Sequence, residues 1–168
     1  MTRATVTGAS GLVGANLVRR LLDAGVEVRA ADLRRSVAID DLDIDFVEVD
    51  VRDATSLAAA FQGADVVFHL AAMISIVGDP TGDVWEVNVG GPANAANAAR
   101  SAGVTRFVHC SSVHAFDLEK CGPSLDETGP RTIGDHAPVY DRSKFAGEQA
   151  VLAAAGDELD VVIVTPTG

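Results

Sequence analysis

Three glycines spaced three apart, Gly8, Gly11 and Gly14, sit between a short apolar run and a helical one, and they constrain this chain more than any other feature. Ala4 to Thr7 reads as a strand. Leu12 to Ala24 reads as a helix: Val13, Leu17 and Leu21, with Val18 and Leu22, recur at helical spacing, and Gly25 supplies the stop. A strand that passes straight into a helix through residues without side chains needs a tight turn and a close backbone approach there.

The rest of the chain repeats this order. Strands are expected at Val26 to Ala31 (ending in Asp32), Phe46 to Val49 (ending in Asp50), Val66 to Leu70, Arg106 to Cys110 and Asp160 to Val164. Helices are expected at Asp53 to Phe61, with Asp53 as its cap, at Val84 to Ala102 and at Val139 to Ala155. Gly90, Gly91 and Pro92 are the weak spot of the second of these. Alternating strands and helices predict a parallel sheet covered on both faces. The unbroken apolar runs V-V-F-H-L and V-V-I-V suit strands buried on both sides. The expected fold is therefore α/β, a Rossmann-type doubly wound sheet of six or more parallel strands, with residues 1–168 as one dinucleotide-binding domain.

In that setting the glycine run becomes a phosphate cradle. Gly8 permits the turn, Gly11 lets backbone approach a pyrophosphate, and Gly14 permits close helix–sheet packing. The helix N-terminus offers unpaired N–H groups and the positive end of a dipole. The alternative is a turn that serves packing alone. Asp32 follows Gly8 by 24 residues at the end of the second strand, where a carboxylate accepts hydrogen bonds from an adenosine ribose. It also repels a 2′-phosphate, which favours NAD over NADP. Arg34 and Arg35 pull the other way, since guanidinium groups pair with phosphate. Asp50 and Val51 end the next strand at a position that can flank the adenine, although Asp there is also an ordinary turn residue.

Tyr140 and Lys144 stand four apart in Y-D-R-S-K, as neighbours on one helix face. An ammonium beside a phenol favours the phenolate, which suits a general acid/base acting on an alcohol oxygen. Ser112 lies two residues beyond the fifth strand, at the carboxyl end of the sheet, where its hydroxyl can donate to a carbonyl oxygen or simply bond its own backbone. Ser111 is its rival and is expected to support the loop. Ala115 to Pro138 is a long connection rich in Pro, Gly and charge, of the kind that forms lids or binding loops.

Together these stretches resemble the extended short-chain dehydrogenase/reductases, the NAD-dependent epimerase/dehydratase type. The resemblance covers nearly the whole chain: T-G-A-S-G-L-V-G from Thr7, D-V-R-D at Asp50 to Asp53, H-L-A-A at His69 to Ala72, N-V-G-G at Asn88 to Gly91, S-S-V-H at Ser111 to His114, Y-D-R-S-K, and the closing T-P-T-G. It implies that Gly8, Gly11 and Gly14 hold the pyrophosphate, with Ser10 and Leu12 of the same loop among the cofactor-binding residues. Asp32 would hold the adenosine ribose, Asp50 and Val51 border the adenine, and Leu70, Ala71 and Ala72 line the cofactor. Ser112 would orient the substrate oxygen and Tyr140 act as acid/base. Lys144 would hold the nicotinamide ribose and favour the phenolate, and Asn88 support the site. The phrasing H-L-A-A-M-I-S and S-S-V-H-A-F is similar to dihydroflavonol-reductase-like and hydroxysteroid-dehydrogenase-like members. Pro92 replaces the family's usual Thr. Members also run on past a strand like the one ending near Thr165, so the C-terminal part that supplies the substrate pocket is expected to be missing.

Three functions follow from the resemblance. The first is an NAD(P)-dependent oxidoreductase acting on a secondary alcohol or ketone. The second is a nucleotide-sugar epimerase or dehydratase that recycles NAD, and the third a non-catalytic dinucleotide-binding domain. The implied partner is a small-molecule substrate, and a homodimer would form through the helices Val84 to Ala102 and Val139 to Ala155. The net charge of −11 argues against nucleic acid or an anionic membrane as partner. No apolar run reaches the roughly 20 residues of a membrane span. Cys110 and Cys121 lack metal-ligand spacing, so free thiols in the cytoplasm are expected, with Cys110 a small core residue. His69 and His109 read as satisfied core histidines rather than metal ligands, Trp85 as a core or interface anchor, and Asp40 to Asp45 as a solvated loop.

Overall fold

The computed structural model describes residues 2–167, so Gly168 of the closing motif lies outside the described residues. Six strands, β1 (Arg3–Thr7), β2 (Glu27–Asp32), β3 (Asp45–Glu48), β4 (Val66–His69), β5 (Arg106–Cys110) and β6 (Asp160–Val164), form one sheet in the order β3-β2-β1-β4-β5-β6. Every pairing is parallel. The chain winds outward from β1 in one direction and, from β4 on, in the other. The sheet therefore has its switch point between β1 and β4, where a crevice opens at the carboxyl ends of the strands. This is the doubly wound α/β architecture expected from the sequence.

Strand periodicity feeds two cores. Val6, Val28 and Ala30 pack with Ala15 and Val18 under α1 (Leu12–Asp23). On the opposite face Val67 and Phe107 pack under α2 (Ala54–Ala60), α4 (Gly91–Ser101) and α5 (Val139–Leu152), against Leu57, Ala96, Ala99 and Val151. The consecutive residues Val67 and Phe68 enter opposite cores, as the two-residue repeat of a strand requires. Asp53 caps α2 by accepting from the Thr55 N–H at 2.9 Å. The Asp40 to Asp45 stretch is more than a solvated loop: Arg19 pairs with Asp41 and Arg29 with Asp45, each at 2.7 Å.

The expected helix over Val84 to Ala102 is built in three pieces: α3 (Asp83–Trp85), a π-helical segment (Glu86–Gly90), and α4. Pro92 lacks the N–H that an α-helical ladder would use there. The segment before it widens by one residue, and the Gly91 N–H reaches the Glu86 carbonyl. Asp79 starts this rod, accepting from the backbone N–H of Val84 at 3.0 Å and Trp85 at 2.9 Å. Trp85 is not a core residue; it is 41% exposed, with the Arg142 guanidinium 5.9 Å from its ring centre. Among the described residues no helix is long and apolar enough to cross a membrane.

Candidate functional site

Gly8 adopts φ +68°, a left-handed turn, and a Cβ there would lie 2.7 Å from the Ala71 nitrogen. The bare turn thus lets β1 end directly against the end of β4. Gly14 meets the turn from the other side: a Cβ on it would stand 2.0 Å from the Gly8 carbonyl oxygen. Gly11 occupies the cap position of α1, and no side chain caps it. The first N–H groups of α1 are therefore left for an external anion.

A cleft of about 450 Å³ opens over this loop. Of the residues expected to bind a cofactor, Gly8, Ser10, Gly11, Asp32, Asp50, Val51, Leu70, Ala71 and Ala72 line it. Gly14 does not, being buried behind Gly8; Leu12, 83% exposed at the start of α1, also lies outside the lining, as do Tyr140 and Lys144, which were expected among the cofactor-binding residues too. Arg34, read as a potential phosphate ligand, lines the cleft too, and so do Thr7, Arg52, Met73 and Val87, which were not expected to bind the cofactor. Thr7 comes to the cleft at the end of β1, Arg52 and Met73 on the loops after β3 and β4, and Val87 on the π-helical segment.

Asp32 is half committed. Its Oδ2 accepts from the Ser10 N–H at 2.9 Å and its Oδ1 from the Leu33 N–H at 2.7 Å. A carboxylate has about four acceptor sites, so room remains for two ribose hydroxyls. Arg35, read as a potential phosphate ligand, instead holds its own loop, donating to the Ile39 and Leu42 carbonyls at 3.1 and 2.6 Å. Arg34 remains on the cleft wall. Asp50 is chelated by Arg52, at 2.7 Å through Nη2, which holds its carboxyl below the usual range. These residues fit an adenine dinucleotide: bare backbone at the turn, free helix N–H groups and an acceptor carboxylate. An Asp32→Ala change should remove both the loop tie and the ribose acceptor, and calorimetric titration should show NAD affinity falling by at least about tenfold.

The second group lies at the carboxyl end of β5. Lys144 is 3% exposed, and its Nζ donates to the Cys110 carbonyl at 2.9 Å. Burial lowers its pKa, while Cys110 and Glu148 act to raise it. Cys110 is only partly buried, rather than a core residue. Ser112 does bond its own backbone, its Oγ accepting from the His114 N–H at 3.2 Å, but its hydroxyl proton stays free to donate. Tyr140 is partly buried and meets the His114 ring edge-on at 5.9 Å between centres. Asn88, in the π-helical segment, is 2% exposed. Its Oδ1 accepts from the Met73 N–H at 2.8 Å. Its Nδ2 donates to the Met73 carbonyl at 2.8 Å and to Ser143 Oγ at 3.0 Å. Asn88 therefore fastens the cleft wall to the helix that carries Tyr140 and Lys144.

His69 and His109 depart from expectation. Both are core residues, at 0% and 1% exposure, yet His69 Nε2 and both ring nitrogens of His109 lack a partner among the described residues. The parallel register sets them side by side, so each ring faces another ring, 5.6 Å away, instead of an acceptor. His69 Nδ1 alone is paired, with Thr7 Oγ1 at 2.8 Å. Burial pushes His69 down to about 3 and His109 well below the ordinary 6.5, the Lys144 charge adding to both shifts. Below pH 6.5 the unfolded chain takes up protons that the folded chain refuses, so stability is lost as pH falls from 6.5 toward 3. Urea unfolding between these limits should lose about 1 kcal/mol per pH unit from His69, with His109 adding to the slope in the same direction, and His109→Phe should flatten it.

The six-stranded parallel sheet, its glycine turn after β1 and its switch-point cleft define a Rossmann-type doubly wound fold. Residues 4–167 match the model of the NAD dependent epimerase/dehydratase family, and the chain belongs to that family. It is 39% identical over 165 residues to the sterol demethylase protein B of Methylococcus capsulatus, covering 96% of this chain and 49% of that protein. It is 36% identical over 173 residues to a 3 beta-hydroxysteroid dehydrogenase/Delta 5→4-isomerase of Mycobacterium tuberculosis, covering 99% and 46%. The fold matches, at a TM-score of 0.81 and 31% identity, a short-chain dehydrogenase/reductase superfamily protein from Agrobacterium tumefaciens with bound NAD, over 96% of this chain and 48% of that one. The chain thus spans about half the length of the curated relatives it matches.

Proposed function

We propose that residues 1–168 form the cofactor-binding domain of an NAD-dependent oxidoreductase that acts on a secondary alcohol or ketone, with Ser112, Tyr140 and Lys144 as its reacting group. The observation that carries this reading is the Asn88 clamp. It joins Met73 on the cleft wall to Ser143, the residue before Lys144 on the helix that carries Tyr140, which supports reading the cleft and the phenol as one site. Gly8 and Gly11 would hold the pyrophosphate and Asp32 the adenosine ribose. Bound NAD supplies the hydride acceptor; the protein orients it and handles the proton. Tyr140, as the phenolate, would take the hydroxyl proton as the alcohol is oxidised, and as the phenol would return it in the reverse direction. Ser112 donates its free hydroxyl proton to the substrate oxygen. Lys144 holds its charge one turn along the helix, with donors to spare beyond the one on the Cys110 carbonyl for the nicotinamide ribose.

A nucleotide-sugar epimerase or dehydratase with recycled NAD uses the same group, and the family description supports that second reading. The segment leaving the cleft at Met73 favours the first. Ile74, Ile76 and Val77 are 74%, 96% and 86% exposed, an apolar lip better suited to an apolar alcohol than to a sugar nucleotide. NAD presented with hydroxysteroid-like alcohols should accumulate as NADH. Sugar-nucleotide turnover without net NADH would replace the first reading with the second, and binding without turnover of either would leave a dinucleotide-binding domain. The same reading places the protein in the cytoplasm as a homodimer through the α3–α4 rod and α5, which sedimentation at graded concentrations tests.

A further inference from the structure

One buried charge is unused by the mechanism above. Glu148 lies one turn beyond Lys144 on α5 and is 2% exposed. An unpaired carboxylate at such a position would be costly, so its partners are informative. Its Oε1 accepts from Ser111 Oγ at 2.5 Å, and its Oε2 from Arg131 Nη1 at 3.0 Å. Ser111 precedes Ser112 at the end of β5. Arg131 belongs to the long connection between β5 and α5, and its guanidinium lies 3.8 Å above the centre of the Phe116 ring.

We propose that Glu148 is the positioning residue of this site: its carboxylate ties the end of β5, through Ser111, and the long connection, through Arg131, to the helix that carries Tyr140 and Lys144. The base of the connection is closed around Arg131. Asp117 N–H donates to the Pro130 carbonyl at 2.9 Å, Thr132 N–H to the Ala115 carbonyl at 3.1 Å, and Thr132 Oγ1 to the His114 carbonyl at 3.1 Å. His114 in turn stands against the Tyr140 ring. A single carboxylate therefore sets how Ser112, His114 and Tyr140 face one another. The positioning role rests on reading Ser112, Tyr140 and Lys144 as one site; the anchoring itself does not.

The test uses two readouts that need no turnover, so its failure is distinct from failure of the dehydrogenase reading. The first is deuterium exchange over residues 116–132. The second is the pH titration of lysine side chains by NMR, where only Lys120 and Lys144 give signals. In Glu148→Gln, exchange in the connection should rise by about tenfold or more, and Lys144 should titrate lower because a neighbouring negative charge is gone. A packing role alone predicts the opposite shift: local loosening would expose Lys144 and raise its titration. Unchanged exchange, or an upward lysine shift, would overturn the proposal. Arg131→Met attacks the same tie from its more exposed end, where the side chain is 26% exposed, and covers the case in which Glu148→Gln does not fold. It should release the connection by a similar factor, and exchange unchanged in that variant would equally sink the idea.

Discussion

Gly14→Ala should abolish NAD binding and lower the thermal midpoint by roughly 5 °C or more. The added methyl would stand 2.0 Å from the Gly8 carbonyl oxygen and 2.8 Å from the Ala9 Cα. Both are backbone atoms of the turn, so no side chain can rotate away to relieve the clash; either α1 backs off the sheet or the turn opens. Both movements spoil the alignment of the first helical N–H groups with the turn, and that alignment is what a pyrophosphate would use. Gly90→Ala is the control. Its Cβ would meet nothing within 4 Å, in the helical rod, so the same methyl should be neutral or slightly stabilising and leave NAD affinity unchanged. Thermal melts with calorimetric titration of both variants check the pair. A Gly14→Ala protein that binds NAD like the parent would show that the loop is not the cradle.

Tyr140→Phe should cut turnover by about 10²–10⁴-fold while changing NAD affinity by no more than about twofold. The substitution removes one oxygen and keeps the ring, so the edge-on contact with His114 survives. Tyr140 is absent from the cleft lining, which is why binding should be spared. The proton that a Tyr140 phenolate would accept then loses its proposed receiver, and neither Ser112, which would donate to the substrate oxygen, nor the Lys144 ammonium, held by the Cys110 carbonyl, would replace it. Initial rates with saturating NAD, compared with the titrated affinity, separate the two effects. Activity surviving in Tyr140→Phe would remove the phenol from the mechanism.

The parts of this site that could be read from sequence are those set by local geometry. A strand–turn–helix with Gly8 and Gly14 needs only neighbouring residues to be recognised, and Asp32 and Asp50 declare themselves by ending apolar strands. The parts that could not be read depend on what comes alongside. Thr7 reaches the cleft through the pairing of β1 with β4, and Val87 through a π-helical segment whose cause, Pro92, lies five residues further on. The orphaned nitrogens of His69 and His109 follow from a register in which two histidines fall opposite each other. Either histidine alone would read as an ordinary core residue. Glu148 is hidden for a similar reason: on a helix it looks like a surface carboxylate, and it is buried between Ser111 at the end of β5 and Arg131 of the long connection.

The most direct test of the account is calorimetric titration of this chain with NAD and then NADP. The geometry of Gly8, Gly14 and Asp32 predicts a single NAD site, with NADP weaker by at least about tenfold because the Asp32 carboxylate would face the 2′-phosphate. Absence of NAD binding, or NADP binding as tightly as NAD, would contradict it.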